Sequence, residues 1–195
     1  MNKRIARRPA AVGPGIALML AAALLALVPG RATADPNNAS GTWELHLEVP
    51  NVAMASNGDT LALTGMGVFS THPKTVTASG TFTHNVAGGG TFTGTWTATD
   101  LLSFEFYGCG VIPAIGATVP PNFCGGALKM RVVFTPAGTS LTIPGITVFC
   151  VIGPQAPPPH DNPTEPGEEG ATAVIPGIAN FNKIVSGMNV YIQTS

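Results

Sequence analysis

Positive charge is almost absent from the body of this sequence. Charged residues of both signs make up 10% of the 195 positions, where soluble domains average about a quarter. Beyond position 34 the basic residues are Lys74, Lys129, Arg131 and Lys183, against ten acidic ones, a net charge of −6. Such a surface repels phosphate, which excludes nucleic acid as a partner and disfavours docking on anionic membranes. Long apolar runs are missing too. The longest, Ile16 to Val28, is about 13 residues, whereas a membrane helix needs about 20. An outer-membrane barrel would show aromatic girdles; the sequence has none and ends in polar Gln193-Thr194-Ser195. Stretches of helical period are lacking after position 40.

What is present begins with a leader. Lys3, Arg4, Arg7 and Arg8 precede the apolar run, and Pro29-Gly30 and the small-x-small triplet Ala32-Thr33-Ala34 follow it. This is the layout of a secretory signal peptide over residues 1–34, cleaved after Ala34. Arg7-Arg8 lacks the apolar residues that follow a twin-arginine pair, and no cysteine sits at the cleavage site to take a lipid. The expected product is a secreted protein, extracellular or periplasmic, with no membrane insertion once the leader is removed. Residues 35–195 are long enough for one domain with a real core.

Three cysteines remain, Cys109, Cys124 and Cys150, and export permits a disulfide. Cys109 and Cys124 bracket a Pro- and Gly-rich loop and are the expected pair. Cys150 lies mid-strand, where a free thiol behaves as a small apolar residue.

Thr, Val, Phe and Ile in alternation, punctuated by Gly and Pro, predict an all-β domain of about eight short antiparallel strands. The expected strands are 41–49, 59–70, 75–84, 91–99, 102–108, 127–135, 140–152 with a bulge at Pro144-Gly145, 171–175 and 189–193. Phe181 and Ile184 would dock between the last two. Asn57-Gly58, His72-Pro73-Lys74 and Gly88-Gly89-Gly90 read as turns. Gly65 and Gly67 on one face suggest a bend or room for a large neighbour. Residues 153–170, rich in Pro and acidic side chains, read as an exposed, mobile loop. Ile143-Pro144-Gly145-Ile146 recurs as Ile175-Pro176-Gly177-Ile178, too short a match to establish duplication. An antiparallel meander of this size closes into a barrel or folds into a sandwich. The barrel is favoured, because closure removes edges. With Cys109 and Cys124 as the clip, Glu105 falls near Lys129 and Arg131.

Asn38-Ala39-Ser40-Gly41-Thr42-Trp43, soon after the leader, carries a Gly-x-Trp that resembles the signature of lipocalins and related calycin barrels, and Thr99-Asp100 resembles their Thr-Asp element. The resemblance implies an eight-stranded up-and-down barrel with Trp43 plugging one end. The family's late Arg and C-terminal helix have no match here. In overall pattern the sequence is also similar to dirigent and allene oxide cyclase barrels. Asn38-Ala39-Ser40 is also a glycosylation sequon.

Catalytic and metal motifs are thin. No Gly-x-Ser-x-Gly occurs, and His46, His72, His84 and His160 show no close ligand spacing. His46 and His84 read as solvated residues on polar strand faces. His160-Asp161-Asn162 with Glu165, Glu168 and Glu169 offers oxygen ligands without the spacing of a calcium loop. Glu44 and Glu48 lie about 13 Å apart along one strand, too far for a glycosidase pair. No cofactor is expected. The most regular feature is threonine: Thr91, Thr93, Thr95, Thr97 and Thr99 face one way, and Thr75, Thr77, Ser79, Thr81 and Thr83 repeat the row. Such rows resemble the flat arrays of β-structured ice-binding proteins, although Thr is also an ordinary strand former.

Three functions follow. Trp43, Leu45, Leu47, Phe82, Phe92, Trp96, Phe104, Phe106 and Met130, facing inward, would hold a small apolar molecule at one mouth of a non-catalytic barrel, unless they fill the core. An interaction protein without a small ligand would use the 153–170 loop or the Thr face. A barrel isomerase or cyclase would turn Glu105, Arg131, His46 or Tyr107 inward.

Overall fold

The computed structural model describes residues 39–137, 139–158 and 168–195. The expected leader and cleavage site, Asn38, and the loop residues His160, Asp161, Asn162 and Glu165 lie outside the described residues.

Period-two alternation gives strands with one apolar face, and burying that face bends the sheet onto itself. The strands are β1 (Thr42–Ala55), β2 (Thr60–Thr71), β3 (Lys74–Asn85), β4 (Thr91–Cys109), β5 (Val111–Ile112), β6 (Ala117–Thr118), β7 (Phe123–Pro136), β8 (Leu141–Cys150), β9 (Gly170–Ile175) and β10 (Ala179–Gln193). All but β5 and β6 form one closed antiparallel barrel of eight strands, in which each strand pairs with the next and β10 returns to β1. The chain is thus the expected all-β meander, closed as a barrel. β5 and β6 make a small separate hairpin inside the loop clipped by the Cys109–Cys124 disulfide. The three expected turns join β1–β2, β2–β3 and β3–β4. Gly58, at φ 88°, supplies the left-handed residue of the first.

Several strands run longer than the sequence suggests. β1 continues through Pro50 to Ala55 across a register irregularity between Leu47 and Val52. The expected fourth and fifth strands are one, β4, with Asp100 at a bulge. Phe181 and Ile184 do not dock between short strands; they belong to β10 itself and are buried. The bulge at Pro144-Gly145 is present, where Met130 pairs with Ile146 and Val132 with Ile143.

The ion pair expected of Glu105 is not formed. Glu105 faces Ala127, Lys129 faces Ser103, and Arg131 donates to Asp100 at 2.9 Å. The cause is local: β4 carries three bulges, at Ala98/Asp100, Leu101/Ser103 and Phe106/Gly108. Each slips the ladder by one residue. Thr99 and Arg131 hold the Asp100 carboxyl below its ordinary range by hydrogen bonding.

Of the two glycines of β2, Gly65 makes room for a large neighbour, whereas Gly67 lies against Ala78. Gly65, Gly80 and Trp96 lie side by side across β2, β3 and β4. The indole covers this gap and donates to the Thr64 carbonyl at 2.8 Å. A Cβ on Gly65 would stand 2.5 Å from the Trp96 ring. Gly65→Ala is therefore expected to destabilise the fold by about 1–3 kcal/mol, the usual cost of overpacking, read from urea denaturation.

The two ends of the barrel differ. At one end Trp43 is fully buried, stacked on Phe69 with centroids 5.3 Å apart and tilted against Phe104 at 5.1 Å and Phe106 at 6.1 Å. Tyr191 packs edge-on to Phe69 and Phe104, both at 5.5 Å, and its hydroxyl donates to the Val148 carbonyl at 2.8 Å. Beyond β9 the last strand reaches β7, pairing Tyr191 with Cys124. Ile112 and Val119 of the disulfide loop pack on the same core. This end is closed.

Where β8, β9, β10 and β1 meet, a buried amide pair pins the wall. Asn51 and Asn189 exchange hydrogen bonds of 2.9 Å each, and Asn189 also reaches the carbonyls of Phe149 and Gly170. Beside them Glu169, expected on an exposed loop, is largely buried. Its Oε1 accepts from the Asn189 N–H at 2.6 Å and its Oε2 from the Val151 N–H at 2.8 Å. The start of that loop is also packed: the Gly153 N–H donates to the Val111 carbonyl at 2.7 Å and the Gln155 N–H to the Tyr107 carbonyl at 2.9 Å.

Candidate functional site

At the opposite end the β1–β2, β3–β4, β7–β8 and β9–β10 hairpins surround an open pocket of about 810 Å³. That volume lies within the range of small-molecule sites, roughly 300–1,000 Å³. Its floor is aromatic: Phe82 of β3 and Phe134 of β7 stack with centroids 4.6 Å apart and an interplanar angle of 13°. Leu141, Ile175 and Ile178 complete an apolar wall. Phe92 stands at the rim, 56% exposed. It has the parity of buried Trp96, yet it lies so near the start of β4 that no further layer of wall covers it.

One polar pair faces this apolar surface. His84 follows Phe82 by two residues on β3 and so points the same way. It is 8% exposed, not solvated as a polar-face residue would be. Its Nε2 lies 2.9 Å from Oδ2 of Asp59, just after the β1–β2 turn. Oδ1 of Asp59 accepts from the Ala87 N–H at 3.0 Å, tying the two hairpins together. That backbone bond first, and His84 second, hold the Asp59 carboxyl below its ordinary range. An ionised carboxylate only accepts, so Nε2 carries a proton, and Nδ1 is the ring nitrogen that Asp59 leaves over. The ring meets Phe181 edge-on at 5.3 Å and Phe92 at 5.9 Å. Both residues of the pair line the pocket.

Of the inward residues singled out by sequence, Phe82 and Phe92 line this pocket. Trp43, Phe104 and Phe106 form the closed end, and Leu45, Leu47, Trp96 and Met130 are buried in the core between the ends. The threonine parity that places Phe82 inside also places His84 inside. Asp59 had no such signal, because it joins the site through a turn.

The residues of the isomerase reading do not converge on the pocket. Glu105 and Arg131 are exposed. His46 lies on the outer wall, 3.2 Å from Glu44 and 3.9 Å from Glu48. Tyr107 is buried away from the mouth, and burial above all, then the charge of Glu105, pushes its hydroxyl up to about 12. Among the described residues no three His, Cys, Asp or Glu side chains are grouped to hold a metal ion.

The threonine rows do lie outside. Thr64, Thr81, Thr95 and Thr135 are neighbours across β2, β3, β4 and β7, with Thr64 and Thr81 hydroxyls 2.7 Å apart. They follow the curved wall of a barrel rather than a flat face.

The chain matches no family model, no curated protein and no solved structure.

Proposed function

We propose that the protein is an exported, non-catalytic β-barrel that holds a small apolar molecule in its open mouth. One observation carries this reading: the aromatic-floored pocket of about 810 Å³ stands at the end opposite the Trp43 plug. A barrel built only for stability would fill both ends, because unfilled apolar walls forfeit dispersion contacts. The leader and the disulfide, together with the lipocalin-like Gly-x-Trp, support export and a carrier role.

Naphthalene is a suitable probe, being apolar, flat and fluorescent. It is expected to bind the wild type and to lose at least about tenfold in affinity in Leu141→Trp, whose indole would fill the mouth; tenfold corresponds to about 1.4 kcal/mol. Circular dichroism should show the variant folded. Equal binding by both proteins would place the probe elsewhere. No binding by the wild type would favour the interaction-protein reading, in which the Thr face or the 153–170 loop makes the contacts.

A further inference from the structure

We infer that the molecule held in this mouth carries a hydroxyl group on its apolar frame, received by Nδ1 of His84; the inference rests on the apolar-ligand reading above.

Thr93 and Thr139 stand exposed at the pocket's rim; the other polar side chains of its lining are Asp59, Thr91 and His84. Both carboxylate oxygens of Asp59 are in use, one by the Ala87 N–H and one by His84 Nε2. The Thr91 hydroxyl donates to Asn85 Oδ1 at 2.9 Å. His84 Nδ1 has no hydrogen-bond partner among the described residues. It is also not one of the sealed polar atoms, of which Trp43 Nε1 is the single case among those residues. With Nε2 turned to Asp59 and the residue lining the cavity, Nδ1 is the ring nitrogen left to meet the pocket contents.

The surroundings select the group it would meet. Among the described residues no Lys or Arg lines the mouth, and the ionised Asp59 lies against the ring, so a carboxylate or phosphate would be repelled. A cation would find both Asp59 oxygens occupied. A purely apolar occupant would displace water from Nδ1 and leave it without a partner, which is unfavourable. A hydroxyl suits both forms of the ring: it donates to Nδ1 when the imidazole is neutral and accepts from it when protonated. The stacked Phe82 and Phe134 rings suit a flat frame behind that hydroxyl. The recognised class is therefore an apolar, ring-bearing alcohol or phenol.

The test compares naphthol, methylnaphthalene and naphthoate, alike in frame, by fluorescence titration of the wild type and of His84→Phe at neutral pH. Naphthol is expected to bind the wild type about tenfold more tightly than methylnaphthalene, and the preference should vanish in the variant while methylnaphthalene affinity holds. Because His84→Phe leaves Asp59 without its partner and risks misfolding, nitrogen NMR of the wild-type histidines provides a second readout. The Nδ1 resonance of His84 should move on saturation with naphthol and much less with methylnaphthalene. If neither neutral probe binds, the apolar-ligand reading falls and this inference with it. If methylnaphthalene binds as tightly as naphthol, or His84 Nδ1 does not respond, the hydroxyl assignment alone is overturned. Tightest binding by naphthoate would also overturn it, by making the occupant an anion.

Discussion

Trp43→Ala is expected to lower folding stability by about 3–5 kcal/mol, the range for truncating a buried large aromatic. Trp43 is fully buried and touches Phe69, Phe104 and Phe106, with centroids 5.1–6.1 Å away. These rings come from β2 and β4, so removing the indole leaves a cavity that no single side chain can fill by changing rotamer. The clipped loop and the β10–β7 pairing hold the end in place and limit collapse, which keeps the cost high. Trp43→Phe should cost far less. The indole N–H is buried with no hydrogen-bond partner among the described residues, and phenylalanine sheds that penalty while keeping most ring contacts. Urea midpoints at unchanged m value give both numbers. A Trp43→Ala loss under about 1 kcal/mol would mean that the aromatic cluster does not organise the closed end. Probe binding at the far mouth should be unchanged in molecules that remain folded.

The second large effect concerns pH and Glu169. Burial pushes its carboxyl up to about 7, although the Val151 and Asn189 N–H groups and the Cys150 thiol favour the ionised form. Unfolded, the group returns to its ordinary value of 4.5. Between those values the folded state holds the extra proton, so stability falls as pH rises from about 4.5 to about 7 and is level beyond. The shift corresponds to roughly 3 kcal/mol. Asp59 and Asp100 act in a separate window. Their carboxyls are held low, so the stability they add is complete above the ordinary aspartate value and is lost on further acidification. In Glu169→Gln the slope between pH 4.5 and 7 should disappear, whatever the absolute stability, since the amide cannot accept from both N–H groups. Denaturant titrations across that range measure it. A slope retained in the variant would assign it to another group.

Much of the barrel was legible because side-chain period two is a local property. The alternation around Trp43, Phe82, Trp96 and Leu128 sorted the inside from the outside. Gly65 and Gly67 suggested a bend or a large neighbour; Trp96 is that neighbour for Gly65, whereas Gly67 meets Ala78. The disulfide followed from the loop it closes. Register was less legible. Three bulges in β4 moved Arg131 from Glu105 to Asp100, and a bulge is set by the fit of the whole wall rather than by its own residues. The last strand was expected only over 189–193, yet β10 runs from Ala179 because pairing with β1 overrides the low strand propensity of Asn180, Asn182 and Gly187. Glu169 looked solvent-bound from composition, but the Asn189 N–H and Val151 N–H that bury it come from β10 and from beyond the end of β8. The mouth was half visible. Phe82 and His84 share a parity, whereas the partnership of His84 with Asp59 depends on two hairpins meeting, which closure alone arranges.

An apolar guest held in the open mouth, and not at the aromatic end, would show itself directly by NMR. Naphthalene should give intermolecular NOEs to the methyl groups of Leu141 and Ile175 and shift the ring resonances of Phe82 and Phe134, while Trp43 and Tyr191 stay still. NOEs confined to the outer wall, or shifts centred on Trp43 and Tyr191, would contradict that placement.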